Sequence, residues 1–142
     1  EIFRKPDKFK INVPNNWTLE EIDELELSAY SPIENELRSN FNIVSLDYDK
    51  QKYDLMSYSE LNMEAMIDQY SDFNPKLISK QETIINNNSA IIYVIQYSAN
   101  NIWTVSFAIS NNVESYLIHF TINNFDNEIQ LVKEIGMSFT TL

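Results

Sequence analysis

The sequence predicts an α+β fold, an antiparallel β-sheet flanked by helices in an α/β/α sandwich, and three observations carry that prediction. Four successive segments, 76–85, 90–98, 102–110 and 115–123, are β-branched and aromatic or alternate apolar with polar, and short Asn-rich breaks separate them. Two other segments carry apolar residues at helical spacing. In Ile91 to Tyr97 both strand faces are apolar, which calls for a central strand covered by helices on two sides. With 142 residues and 44% hydrophobic content, the chain reads as a single domain spanning 1–142. A domain of that length buries roughly two thirds of its unfolded surface and needs no disulfide or metal to hold it together.

Residues 1–8 show no periodicity and are expected to form a flexible N-terminal tail. Phe9, Ile11 and Val13 then alternate with Lys8, Lys10 and Asn12, a strand with one face in the core, which Pro14-Asn15-Asn16 ends. Trp17 follows at once; so large a residue beside a turn must bury its ring, so it reads as a core plug. The acidic stretch 18–30 mixes both periods, with a strand near its end before Pro32. Beyond the polar loop 34–40, residues 41–48 again read as a strand.

Ser57-Tyr58-Ser59-Glu60 has the form of a capping box and places a helix start at Ser57. Met63, Met66, Ile67, Tyr70 and Phe73 continue as one apolar stripe until Asn74-Pro75. After the four strands, Asp126-Asn127-Glu128 is expected to cap a last helix, whose Ile129, Val132, Ile135 and Phe139 face the core. Hairpin turns need positive φ, yet Gly136 is the chain's single glycine. Asn86-Asn87-Asn88, Asn100-Asn101 and Asn111-Asn112 are therefore expected to supply it, because Asn tolerates the left-handed region best after Gly.

Composition removes several functions. The net charge is −11, from 10 Lys+Arg against 21 Asp+Glu, and it opposes contact with phosphate backbones, so no nucleic-acid partner is expected. The absence of Cys removes thiol catalysis and Cys-ligated zinc. One glycine cannot build a phosphate-binding loop or a nucleophile elbow. The sole histidine, His119, has no Asp-His or His-x-His companion and reads as a satisfied or half-exposed strand residue. No segment reaches the roughly 18 apolar residues of a membrane helix. The chain opens Glu1-Ile2-Phe3, with neither an initiator Met nor a signal-peptide core. That start suits an artificially trimmed chain, or equally a mature exported protein or an ectodomain anchored upstream.

Carboxylates are the one abundant reactive group. Glu20, Glu21, Asp23, Glu24 and Glu26 form one cluster, and Asp47, Asp49 and Asp54 a second. Either is a weak candidate site for calcium or another divalent cation, lacking EF-hand spacing, and a solvated acidic face is the simpler reading. A hydrolase with paired carboxylates is a third reading, since such pairs leave no local motif. Exposed members of the aromatic set that includes Tyr48, Tyr53, Tyr58, Tyr93, Tyr97 and Tyr116 would mark a protein-docking patch.

The motif Phe9-x-Ile11-x-x-Pro14-x-x-Trp17, followed by a strand, an amphipathic helix, four strands and a helix ending in Met137-Ser138-Phe139, resembles the PsbP-like family. That family includes the extrinsic PsbP protein of photosystem II, related bacterial and archaeal exported proteins or lipoproteins and, by fold, the Ran-binding import factor Mog. The resemblance implies an α/β/α sandwich with Phe9, Pro14, Trp17 and Phe139 as framework positions. It also implies a non-enzymatic role in protein binding or complex assembly, with no cofactor carried over. Its acidic segment 18–26 and Asn-rich turns match no photosystem or Ran interface, so neither partner transfers. The expected protein is thus an extracytoplasmic domain, exported or lipid-anchored, with an unidentified protein partner, the alternative being a small-ligand or cation-binding module.

Overall fold

A computed structural model describes residues 1–22, 24–32, 38–111 and 113–142. The 41–48 segment and the four expected strands form strands β5 (Asn40–Ser45), β6 (Pro75–Ile85), β7 (Asn88–Tyr97), β8 (Ile102–Ser110) and β9 (Ser115–Ile122). The acidic stretch resolves into β3 (Thr18–Glu20) and β4 (Leu27–Tyr30), so it contains two short strands rather than one. These seven pair antiparallel in the order β3-β4-β5-β9-β8-β7-β6. A second sheet joins β1 (Ile2–Lys5), β2 (Phe9–Asn12) and β10 (Thr140–Thr141).

The expected N-terminal tail is thereby corrected. Ile2 to Lys5 pairs with β2 in full register, Ile2 opposite Asn12 and Lys5 opposite Phe9. Little alternation marks this strand because its burial is shallow: Phe3 alone packs against the core, and the rest is held by pairing with β2 and by the ion pair of Lys5 with Glu26.

Helix α1 (Leu55–Gln69) starts one turn earlier than the Ser57 box suggested. Asp54 is the cap: its carboxylate accepts from Ser57 N at 2.7 Å, while the Ser57 hydroxyl accepts from Asp54 N at 3.1 Å. Ser57 therefore closes the box from its far end. A short 3-10 turn, Ser71–Phe73, leads into β6. Helix α2 (Phe125–Met137) is capped by Asn124, not by Asp126, and Val132, Ile135 and Phe139 are buried as expected.

Each helix covers one face of the large sheet. Ile91, Tyr93, Ile95 and Tyr97 on β7 pack under Leu55, Met56, Met63, Met66 and Ile67 of α1. The opposite face, with Val105, Phe107, Ile109, Phe120 and Phe41, meets α2 and the small sheet. The covering of β7 on both sides agrees with its apolar pattern, but it lies next to the edge, not at the centre. Both sides are filled because α1 covers Ile91, Tyr93, Ile95 and Tyr97 while Ala90, Ile92 and Val94 join the core on the other face.

Two of the three asparagine turns supply the expected positive φ among the described residues. Asn86 and Asn87 have φ of 47° and 70°, and Asn101 has φ of 54°. Asn111 works through its side chain, accepting from Val113 N and Glu114 N at 2.8 and 2.7 Å, and Asn112 lies outside the described residues. Asn86 also donates to the carbonyls of Met137 and Phe139, tying the β6–β7 hairpin to the end of α2. Trp17 is half-buried, tilted on Phe41 with centroids 5.9 Å apart, and packs against the core from its rim.

Candidate functional site

The two acidic clusters do not come together. Asp54 is spent on capping α1, and Asp49 accepts from Gln51 N at 2.9 Å inside its own turn. Asp47 lines a surface hollow with Lys8, Lys50 and Glu114, and the Glu114 carboxylate there is held by the Tyr116 phenol at 2.7 Å. In the first cluster, Glu26 receives Lys8 Nζ at 2.8 Å and Ser45 Oγ at 2.9 Å, with Lys5 3.4 Å away. Burial raises the Glu26 pKa, but these donors and charges outweigh it and leave it below the usual carboxylate value. Glu21 lies 3.8 Å from Lys5, Glu20 and Glu24 are exposed, and Asp23 lies outside the described residues. Among the described residues no three Asp, Glu or His side chains gather as a metal site would require.

A concave site lies elsewhere, where the C-terminal end of α1 stops short of covering the sheet. Between Ile102 and Leu117, the α1-facing positions of β8 and β9 are small or polar: Thr104 and Ser106 on β8, His119 and Thr121 on β9. Strand register sets Tyr93, Ser106, His119 and Asn42 in one row across four strands, with Ile95, Thr104, Thr121 and Asn40 in the next. Alternation turned the apolar halves of β8 and β9 toward α2, so this polar half was left to face the other way. Over it opens a cleft of 190 Å³ lined by Met66, Tyr70, Phe73, Tyr97, Thr104 and His119, among others.

Its rim is aromatic. Tyr70 and Phe73 are 41% and 42% exposed, and the Tyr70 ring meets Tyr97 edge-on with centroids 6.0 Å apart. The helical stripe placed both in the core; they fall instead past the last turn of α1, where Tyr97 and Ile102 cover them only in part and Thr104, His119 and Thr121 make up the rest of the sheet face.

The floor holds unsatisfied polar groups. Thr104 is 7% exposed, and its buried hydroxyl has no partner in hydrogen-bond geometry among the described residues. The same is true of the Tyr93 hydroxyl under α1. Burial pushes the Tyr93 phenol up to about 12, and the nearby Ser106 hydroxyl only tempers the shift. Burial also raises the Tyr97 phenol, which Thr104 tempers without reaching bonding geometry. Ser106 Oγ bonds His119 Nδ1 at 2.8 Å. Desolvation lowers the His119 pKa to about 4, so its ring is neutral near pH 7. A neutral imidazole offers one donor and one acceptor; Ser106 uses one nitrogen and the other remains for a visitor.

A larger groove of 420 Å³ runs between Trp17 and the start of α2. Its carboxylate, Glu128, is already occupied by Ser39 Oγ at 2.7 Å and by the Asn123 and Asn124 amides at 3.3 Å. It therefore presents less unspent polar chemistry than the cleft by α1.

No protein-family model and no curated protein matches the chain. Solved structures do. Cyanobacterial PsbP from Synechocystis sp. PCC 6803 superposes with a TM-score of 0.78 at 11% identity, over 100% of this chain and 92% of that one. The chain has the PsbP-like fold. The same architecture relates it to PA94 of Pseudomonas aeruginosa, a protein of unknown function, at TM-score 0.62 and 12% identity, covering 97% and 94% of the two chains. It also relates it to LpqN of Mycobacterium tuberculosis, described as involved in cell envelope biogenesis, at 0.59 and 13%, covering 96% and 86%. At such identities the PsbP-like fold is shared without any site being carried across. No helix among the described residues is long and apolar enough to cross a membrane.

Proposed function

We propose that this PsbP-like domain works by binding another protein in complex assembly, outside the cytoplasm as an exported or lipid-anchored protein, and that it docks through the aromatic rim at the end of α1. The observation that carries the reading is the pairing of two exposed aromatic rings, Tyr70 and Phe73, with an adjoining cleft on whose floor the buried Thr104 hydroxyl is unspent. Aromatic side chains beside a desolvated hollow have the composition of an interface centre, where a few anchors supply most of the affinity. The involvement of LpqN in envelope biogenesis supports the extracytoplasmic part.

Binding suits the chemistry better than catalysis does. His119 is neutral and bonded to a serine, with no carboxylate to orient it as a base. The reading requires no cofactor and no nucleic acid. It is tested by tethering the domain and crosslinking it in envelope and soluble extracts of the source organism. Capture from the envelope fraction should be lost in the Tyr70→Ala/Phe73→Ala variant and kept in Val113→Ala, which removes an exposed side chain at the opposite end of the sheet. Equal capture by all three proteins would overturn it.

A further inference from the structure

We infer that the cleft at the end of α1 is a subsite for a phenol, presented as a tyrosine side chain of the docked partner. The inference rests on the docking reading and names the part of the partner that enters.

Size comes first. A cavity of about 150 Å³ in an apolar core holds one benzene ring, and the cleft measures 190 Å³. Its walls, Met66, Phe73, Tyr97 and Ile102, are apolar or aromatic and suit a flat ring. Charge comes second. No Asp, Glu, Lys or Arg lines the cleft, so an ionised group entering it would lose its water with nothing opposite to replace it. The occupant is neutral.

The polar floor then selects within neutral rings. Thr104 Oγ1 is already shut off from water and unbonded, so a bare hydrocarbon gains nothing from this floor, whereas a hydroxyl that bonds it relieves a cost the free fold carries. A hydroxyl both donates and accepts, so it satisfies Thr104 in either sense and suits either tautomer of His119, whose Nδ1 is already taken by Ser106. Tyrosine brings this ring and hydroxyl to an interface at low conformational cost.

The test is by amide-resolved NMR of the whole chain with two probes: p-cresol, the tyrosine side chain without its backbone, and toluene, its counterpart without the hydroxyl. p-Cresol should give saturable shifts at the amides of Thr104, His119 and Thr121, with toluene about three- to tenfold weaker. Thr104→Val keeps the shape and removes an unpartnered hydroxyl, so its melting temperature should be unchanged or raised while the preference for p-cresol is erased. No saturable shift at these amides, or equal binding of both probes to the unmodified chain, overturns the phenol subsite. Loss of partner capture in the rim variant without any p-cresol binding overturns the subsite alone and leaves docking standing. Saturating p-cresol should also release a captured partner, and a partner retained with p-cresol bound overturns the assignment to its tyrosine.

Discussion

Ser106 Oγ and His119 Nδ1 lie 2.8 Å apart on paired positions of β8 and β9, on the sheet face that α1 only partly covers. The bond fixes the imidazole in a poorly hydrated place, and desolvation lowers its pKa to about 4 from an ordinary 6.5. The unfolded chain therefore binds a proton that the folded chain refuses between those values. This contribution to stability is complete above about pH 6.5 and is lost as pH falls toward 4. The ring's proton resonances should titrate with a midpoint near 4, and His119→Phe should flatten the stability slope across that window. A midpoint at 6 or above would show a hydrated ring.

Gly136 faces the ring of Phe107 so closely that a Cβ would fall within the ring's own contact distance. Phe107 is fully buried and has no room to retreat. Gly136→Ala should destabilise the fold by about 1–3 kcal/mol through overpacking, although alanine is the better helix former. Denaturant unfolding measures it.

Glu26 holds down the N-terminal strand through Lys5 and Lys8. Glu26→Gln should cost up to about 1.5–3 kcal/mol, the range for a hydrogen bond to a charged group, and should speed amide exchange in β1. Because the folded carboxylate has a lowered pKa, its stabilisation is present above the ordinary value of 4.5 and disappears as pH falls through the folded value. The variant should therefore lose part of the wild-type acid sensitivity.

Asn86 has two roles, a positive φ in the β6–β7 turn and side-chain bonds to the carbonyls of Met137 and Phe139. Asn86→Gly removes only the bonds, and Asn86→Ala removes both. Alanine should be the less stable, by about 1 kcal/mol relative to glycine, as thermal melting would show.

The meander and both helices were legible because burial on one face writes a period into the sequence: 2 in Trp103, Val105, Phe107 and Ile109, and 3.6 in Ile129, Val132 and Ile135. β1 was not, because only Phe3 of Ile2 to Lys5 reaches the core, too little to write a period, and the rest is held by pairing with residues 9–12 and by the Lys5–Glu26 ion pair. The cleft was illegible for a related reason. Its lining comes from α1, the turn at Phe73, β7, β8 and β9, and only register brings Ser106 to His119. The helical stripe named Tyr70 and Phe73 but could not show that the helix overruns its apolar support. The acidic residues stood out in sequence because charge is visible there, whereas their spending on caps and lysines is a property of the fold.

The most direct measurement of the docking claim is photo-crosslinking in cells of the source organism, with a photoreactive residue placed at Phe73 or, in a separate protein, at Ile84. Both positions are exposed, and they lie toward opposite ends of the sheet. The account predicts one discrete adduct from position 73, suppressed by Tyr70→Ala, and none from position 84. Discrete adducts from 84 with none from 73 would place the partner elsewhere and contradict it.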